Sequence, residues 1–452
     1  MSKDQKSKQN FSKNIPVLHP NAAGIDIGST QHYVAVPIDR DEHPVQSFNT
    51  FTADLHELTN WLKKCEIETV VMESTGVYWL PLFEILEARG FEVFLVNAYH
   101  AKNVPGRKTD VSDCQWLQQL HTYGLLRGSF QPAAQIRELR TYLRQRDMLV
   151  KYCSSHILHI QKNLTAMNIQ LHNVISDITG QSGMKIIRAI IDGERNPDVL
   201  VEYCDKRLKN PPSVIKKSLE GNYASDNLFA LQQAVELYDY YQKKIVECDV
   251  LIQALLQNFD DKEGKMLNKS NDEPSVPAKK KKINDPKMQN EITRITGVDL
   301  TQIDGLNTSS VITLISEVGL DMSKWKTEKH FTSWLGLAPN NKISGGKVLS
   351  KNTKKTKNRA GNVFRLAANS ISRSDCYLGG AYRRYRSLLG PGKANVAVAR
   401  KIAVIFYNML KHGQEYFDLG CEYYEKKIAE RNYKYLKVRA KHLGFDIVPI
   451  SA

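Results

Sequence analysis

Alternating apolar and polar positions mark the start of the folded chain. Residues 22–38, AAGIDIGSTQHYVAVPI, predict a strand, a tight turn at Gly28-Ser29 and a second strand. Asp26 lies between Ile25 and Ile27, so its side chain points to the opposite face of the sheet. Residues 45–51 fit a third strand, and residues 53–64 fit an amphipathic helix with Leu55, Leu58, Trp61 and Leu62 inward. TVVM at 69–72 is a short buried strand ending at Glu73. The STG turn after it leads to a helix carrying Tyr78, Leu82 and Ile85, and residues 93–96 make another buried strand. A polar loop with Pro105 and Gly106 runs into KTDVSDCQWL at 108–117. There Thr109 can cap a helix whose apolar face begins at Trp116 and Leu117.

Beyond this region the period lengthens. Ile136, Leu139, Leu143, Arg146, Val150, Cys153, Ile157, Ile160, Leu164, Met167 and Leu171 alternate spacings of three and four, the pattern of a coiled-coil seam. A second seam runs Leu231, Ala234, Tyr238, Tyr241, Ile245, Cys248, Ile252, Leu255. The two seams pair with each other or with copies from another subunit; ordinary helical core is the other reading. Residues 180–228 hold Gly and Pro breakers and read as a small helical insertion. Residues 261–290, with PSVPAKKKKINDPK, read as a charged linker. From 291 the pattern is helix, short turn, helix, with Gly305 and Asn307 in the turn, where both tolerate positive φ. Such a segment offers backbone N–H groups to phosphate. Residues 392–412 are helical, and 416–452 read as a helical extension.

The predicted domains are a disordered basic tail (1–20), an α/β domain (21–130), a helical coiled-coil region with its insertion (131–260), the linker (261–290), a mostly α domain with a helix-hairpin-helix-like segment (291–415) and the extension (416–452). Three meandering strands followed by alternating helices and strands is the order of a ribonuclease-H-like, or RuvC-like, fold. In that order Asp26 falls on the first strand, Glu73 at the end of the fourth, and Asp110 and Asp113 on the helix after the fifth. Four converging carboxylates are a ligand set for two Mg²⁺ ions acting at phosphorus. Taken alone, Asp110 and Asp113 equally fit an acidic first turn that complements the helix dipole.

Charge narrows the partner. The 452-residue chain has a formal net charge of +15, which points to a polyanion, nucleic acid ahead of membrane. No apolar run is long enough to span a bilayer. Seven scattered cysteines with no CxxC pair argue for reduced thiols in a cytoplasm and against a zinc site. Between Lys342 and Arg365 there are eight basic residues (Lys342, Lys347, Lys351, Lys354, Lys355, Lys357, Arg359, Arg365) and no acid. Lys393 and Arg400 add to this surface, as do Arg383, Arg384, Arg386 and Lys401. Within the run Ser344 precedes Gly345 and Gly346, small neighbours that let a hydroxyl approach a crowded phosphate.

These motifs together resemble the transposases of the IS-one-ten (IS110) family of bacterial insertion sequences, in its eleven-eleven branch. GIDIGS, MESTGVYW and KTDVSDCQWLQQLHTYGLLRGSF look like the RuvC-like DEDD half. IDGLNTSSVITLISEVG, FTSWLGLAPNNKISGGK and GNVFRLA look like the family's second transposase domain. Cys114 stands where alanine is usual and Asn307 where the turn often has glycine. The resemblance implies catalytic carboxylates at Asp26, Glu73, Asp110 and Asp113 and a nucleophilic serine at Ser344. It also implies a cytoplasmic bacterial recombinase acting through a phosphoserine intermediate on donor and target DNA. Its guide would be a structured non-coding bridge RNA, and it would work as a dimer or tetramer. Three rival expectations remain open. One is a RuvC-like nuclease whose attacking group is water. Another is an actin- or sugar-kinase-type ATP-binding protein, suggested by the DIGST turn. The third is a non-catalytic RNA-binding protein.

Overall fold

The computed structural model describes residues 16–97, 110–205, 207–262, 285–350, 353 and 358–447, without the side chains of Asp110 and Ser112. The chain divides into two compact units, Met1–Gln131 and Pro132–Ala452.

In the first unit, strands β1 (Ala22–Ile27), β2 (Gln31–Ala35) and β3 (Val45–Asn49) form the antiparallel meander. Helix α1 (Thr52–Lys64), β4 (Thr69–Glu73), α2 (Trp79–Ala88) and β5 (Glu92–Val96) follow, and α3 (Asp110–Thr122) closes the unit. The sheet order is β3-β2-β1-β4-β5, with β4 parallel to both β1 and β5. This mixed sheet with its helices fits a ribonuclease-H-like α/β domain. One sheet face carries Ile25, Ile27, Val34, Val70, Met72 and Leu95, packed on Leu55, Leu58 and Leu62 of α1 and Leu82, Phe83 and Leu86 of α2. The other face puts Val71 and Val96 against Leu117 of α3. Strands buried on both faces explain why TVVM is continuously apolar.

Two 33-residue helices, α4 (Ala134–Ala166) and α9 (Ser225–Gln257), dominate the start of the second unit. They run antiparallel along each other: Gln135 donates to the Asn258 carbonyl, Arg146 pairs with Asp249, and the Cys153 thiol meets Gln242. The contact seam departs from the expected heptad in two places: α4 ends at Ala166, so Met167 and Leu171 lie beyond it, and the stripe shifts within the helix. Val150 is exposed and Leu149 is buried instead, so the stripe steps from Arg146 to Leu149 to Cys153. Arg146 accounts for its presence in the seam through Asp249. Between these helices lie α5 (Leu171–Val174), α6 (Gln181–Ile191), α7 (Pro197–Glu202) and α8 (Pro212–Ser218). They pack Ile186, Ile187, Ile190, Leu200 and Ile215 against Ile160, Leu164 and Leu231 of the long pair.

After residue 285 come α10 (Pro286–Thr296), a 3₁₀ turn at Leu300–Gln302, α11 (Thr308–Val318) and α12 (Glu328–Trp334). Asn307 does not take positive φ. It sits at φ −111 and caps α11 by accepting from the Ser310 N–H. Gly305 does take positive φ, but its Cβ position is 2.5 Å from the Ala367 carbonyl, so this turn packs against a helix. A β-hairpin, β6 (Lys342–Ser344) and β7 (Lys347–Ser350), leads to α13 (Arg359–Ser370), α14 (Tyr377–Leu389), α15 (Pro391–His412) and α16 (Gly420–His442). Phe331, Phe364, Phe406, Tyr407 and Trp325 form the aromatic core beneath α12, α13 and α15, and the Tyr407 hydroxyl donates to the Trp325 carbonyl. Residues 263–284 of the expected linker (261–290) lie outside the described residues, and its last residues are already helical, since α10 begins at Pro286 rather than after 290. Among those described, no helix is long and apolar enough to cross a membrane.

Candidate active site

Two of the predicted carboxylates, Asp26 and Glu73, sit toward the carboxyl ends of the adjacent strands β1 and β4. Gly24 pairs with Val71 and Ile25 with Met72, so one step further in that parallel register Asp26 stands beside Glu73. Neighbouring strands lie about 4.8 Å apart. Alternation places Gly24, Asp26, Val71 and Glu73 on the face away from Ile25 and Met72, which is the face covered by α3. Tyr33 pairs with Asp26 from β2 and shares that face, a neighbour that sequence reasoning did not single out. Glu73 is buried, and Asp26 and Asp113 are half-buried.

Helix α3 crosses the sheet in direct backbone contact. A Cβ on Gly24 would lie 2.3 Å from both the Cys114 carbonyl oxygen and the Gln118 nitrogen. This closeness brings the residue before Cys114, Asp113, toward Asp26. Both carboxylates act electrostatically on the Cys114 thiol. Burial pushes that thiol up to about 12, Asp26 and Asp113 push the same way, and the Gln115 N–H opposes them. Cys114 therefore stays a neutral thiol, donating to the Val111 carbonyl. Asp110 opens α3, one turn before Asp113 and so on the same helical side; its side chain lies outside the described residues, as does Thr109.

The donor set suits a hard divalent cation, since it consists of carboxylate oxygens on adjoining rigid elements. Among the described residues, no three His, Cys, Asp or Glu side chains already stand close enough to hold a metal. Asp26 and Glu73 stand side by side on the face that α3 covers, Asp113 lies on α3 itself, and Asp110 is the remaining member of the predicted set.

Ser344 belongs to the second unit. Its partner across the hairpin is Lys347, leaving Gly345 and Gly346 as a two-residue turn with φ of 54° and 76°. Positive φ at both central residues is the type I′ geometry, for which Gly-Gly is suited. The residues from Lys342 to Leu349 are all exposed, including Ile343, Val348 and Leu349. Nothing lies within 4 Å of a Cβ on either glycine. The Ser344 hydroxyl is thus carried beside the tip of an arm that stands in solvent. The sequence analysis assigned no strand to this serine; the Gly-Gly pair was the available hairpin signal.

The predicted nucleic-acid contacts separate into groups. Lys342 and Lys347 lie on the hairpin, while Lys351, Lys354, Lys355 and Lys357 lie outside the described residues. Arg359 is committed within the protein, pairing with Asp147 and with Glu317 at 3.4 Å. Glu317 also accepts three hydrogen bonds from Arg144 and faces Arg140, whose guanidinium reaches the Ser316 and Glu317 carbonyls. Arg365 donates to the Gly336 carbonyl. Lys393 and Arg400 line a cleft of about 1080 Å³.

Two family models match this chain. One, described as a transposase of the DEDD IS110 type, matches residues 23–169, and the other, described as the transposase IS116/IS110/IS902 family, matches residues 299–383. Together they span half of the chain. Among curated proteins, none matches.

Proposed function

Because the chain belongs to the IS110 family of transposases and is a DNA transposase, we propose that it cuts and rejoins DNA through a covalent link to Ser344. The supporting observation is the placement of Ser344, exposed beside a Gly-Gly turn where no side chain crowds an incoming phosphate. The Ser344 oxygen attacks phosphorus and its proton passes to solvent or a carboxylate. The bond from phosphorus to the DNA 3′ oxygen breaks, and that oxygen leaves as a 3′-hydroxyl after taking up a proton. A second 3′-hydroxyl then attacks the phosphoserine, the phosphorus–serine bond breaks, and Ser344 recovers its proton. Bond energy is conserved at each exchange, so no nucleotide cofactor is consumed.

Asp26, Glu73, Asp110 and Asp113 would hold two Mg²⁺ ions. When bound, such ions neutralise developing charge on the phosphate oxygens. The four carboxylates belong to the first unit and Ser344 to the second, so the reaction needs both at one phosphate, in one chain or between copies. Strand exchange uses at least two such sites, which favours a dimer or tetramer. Lys342 and Lys347 hold DNA backbone beside the serine. A structured bridge RNA supplies sequence choice by base pairing, consistent with a surface suited to backbone contact.

The test is adduct formation. Full-length protein with Mg²⁺ and donor DNA is expected to give a covalent protein–DNA species that Ser344→Ala loses while nucleic-acid binding persists. Cleavage in Ser344→Ala with products free of protein would instead identify water as the attacking group.

A further inference from the structure

Helices α14, α15 and α16 each turn one face toward a common groove. On α14 this face carries Tyr377, Arg384 and Tyr385, and on α15 it carries Lys393, Arg400 and Lys401. On α16 it carries Tyr424, Lys427, Arg431 and Lys434, at helical spacings of three and four. Two cavities, of about 1080 Å³ and 380 Å³, make up the groove and share Tyr377, Tyr385 and Lys401. The larger is bounded at one end by Pro339 and Thr353, the bridged pair at the base of the Ser344 hairpin. Helix α16 is seated by its first turns only. The Tyr424 ring meets Tyr377 edge-on at 5.0 Å, and Gly380 leaves room for the Cys421 sulfur. Beyond this seat, residues 426–442 carry seven Lys or Arg and one acid, Glu430.

The groove combines two surfaces that one ligand must satisfy. Its cations are uncompensated: among the described residues no carboxylate pairs with Arg384, Lys401, Arg431 or Lys434, although Glu430 lies on the rim. Its floor is apolar, built from Leu378, Leu389, Val396, Val404 and Ile405. A duplex presents phosphates outward and keeps its bases stacked within, so it would leave this floor and the tyrosine rings unmatched. An unpaired strand offers phosphates to the cations and base faces to the rings. We propose that this groove is a track for single-stranded nucleic acid that leads an unpaired strand to the Ser344 hairpin, with Tyr385 as a stacking platform. The proposal rests on the reading of Ser344 given above and adds the state of the strand delivered to it.

The experiment measures binding of the full-length chain to labelled oligothymidine of about 16 nucleotides, a length within single-strand site sizes, and to a duplex of equal length. Tyr385→Ala is expected to weaken oligothymidine binding by roughly 5- to 150-fold, from the stacking of one base, and to leave duplex binding unchanged. Tyr385→Phe keeps the ring and is expected to bind as the parent does, which also controls for folding. Replacing Arg384 and Arg431 together by Gln should reduce the salt slope of single-strand binding by about 1.4. Equal loss for single strand and duplex in Tyr385→Ala, or no loss at all, overturns the track. Adducts that form while binding ignores Tyr385 would sink the groove alone. Tyr385-dependent binding without any adduct would sink the serine reading alone.

Discussion

The carbonyl oxygen of Cys114 occupies the space that a side chain on Gly24 would need, at 2.3 Å from the position of its Cβ. Both residues are backbone anchors at this point, so neither can yield without moving a strand or a helix. Asp26 lies two residues beyond Gly24 and Asp113 one before Cys114. The contact therefore sets the separation of two predicted catalytic carboxylates.

Gly24→Ala should lift α3 from β1 and destabilise the first unit by about 1–3 kcal/mol, the usual cost of overpacking. Cleavage should fall much further than stability, because the carboxylates separate. Thermal melting beside a cleavage assay checks this. Parent-like cleavage in a folded Gly24→Ala protein would show that the contact does not position the site.

A second prediction concerns the turn beside Ser344. Gly345 and Gly346 hold positive φ with open space around them. Replacing both by Ala strains the type I′ turn, at a cost of roughly 1–2 kcal/mol per residue. Little else holds the exposed strands together, so adduct yield should drop at least tenfold while the melting temperature barely moves. Asn-Gly in the same positions satisfies the turn and should restore the yield.

Glu317 is the common ion-pair partner of Arg140, Arg144 and Arg359, with its side chain only 10% exposed. Glu317→Gln leaves three guanidinium groups facing a neutral side chain. The expected loss is about 3–5 kcal/mol, as for breaking a buried ion pair from one side. Calorimetry reads it. Because Arg359 starts the helix after the hairpin segment, nucleic-acid binding should weaken as well.

His121 carries a pH prediction. Burial lowers its imidazole to about 4, with His19, stacked at 4.6 Å, pushing the same way, while its Nε2 lies 2.9 Å from the Thr69 hydroxyl. The folded form binds the proton less readily than the unfolded chain, whose histidine titrates near 6.5. Stability is therefore full above about 6.5 and declines as pH falls toward 4, by up to about 3 kcal/mol. His121→Gln should flatten that decline in melting scans across the same window. An unchanged slope would place the acid sensitivity elsewhere.

The first unit was legible because each of its elements has a clear period. Alternation around Asp26, the apolar TVVM run and the apolar face of α3 that begins at Trp116 and Leu117 all correspond to observed elements. What periodicity could not supply is the helix–sheet contact at Gly24, since a missing Cβ leaves no mark in a hydrophobic pattern. Heptad counting likewise erred at Val150. A spacing of four and a spacing of three both continue a stripe after Arg146, and only packing against α9 selects Leu149. Asn307 was read as a turn residue because asparagine tolerates positive φ, yet its side chain serves equally well as a helix cap. The hairpin escaped notice because its strands are only three and four residues long. The groove of α14, α15 and α16 required three faces far apart in sequence, and residue spacing alone could not bring Tyr385 beside Lys401 and Arg431.

The solvent-borne arm that carries Ser344 has a consequence for fidelity. Two short strands outside any core have little stiffness of their own, so the arm cannot by itself hold a reactive oxygen in line with a bond. On the proposed chemistry, precision must be lent by the polynucleotide that Lys342 and Lys347 grip. On that chemistry such a transposase would stay idle until its substrate completes it, and stray hydroxyls or phosphates would meet a blunt instrument.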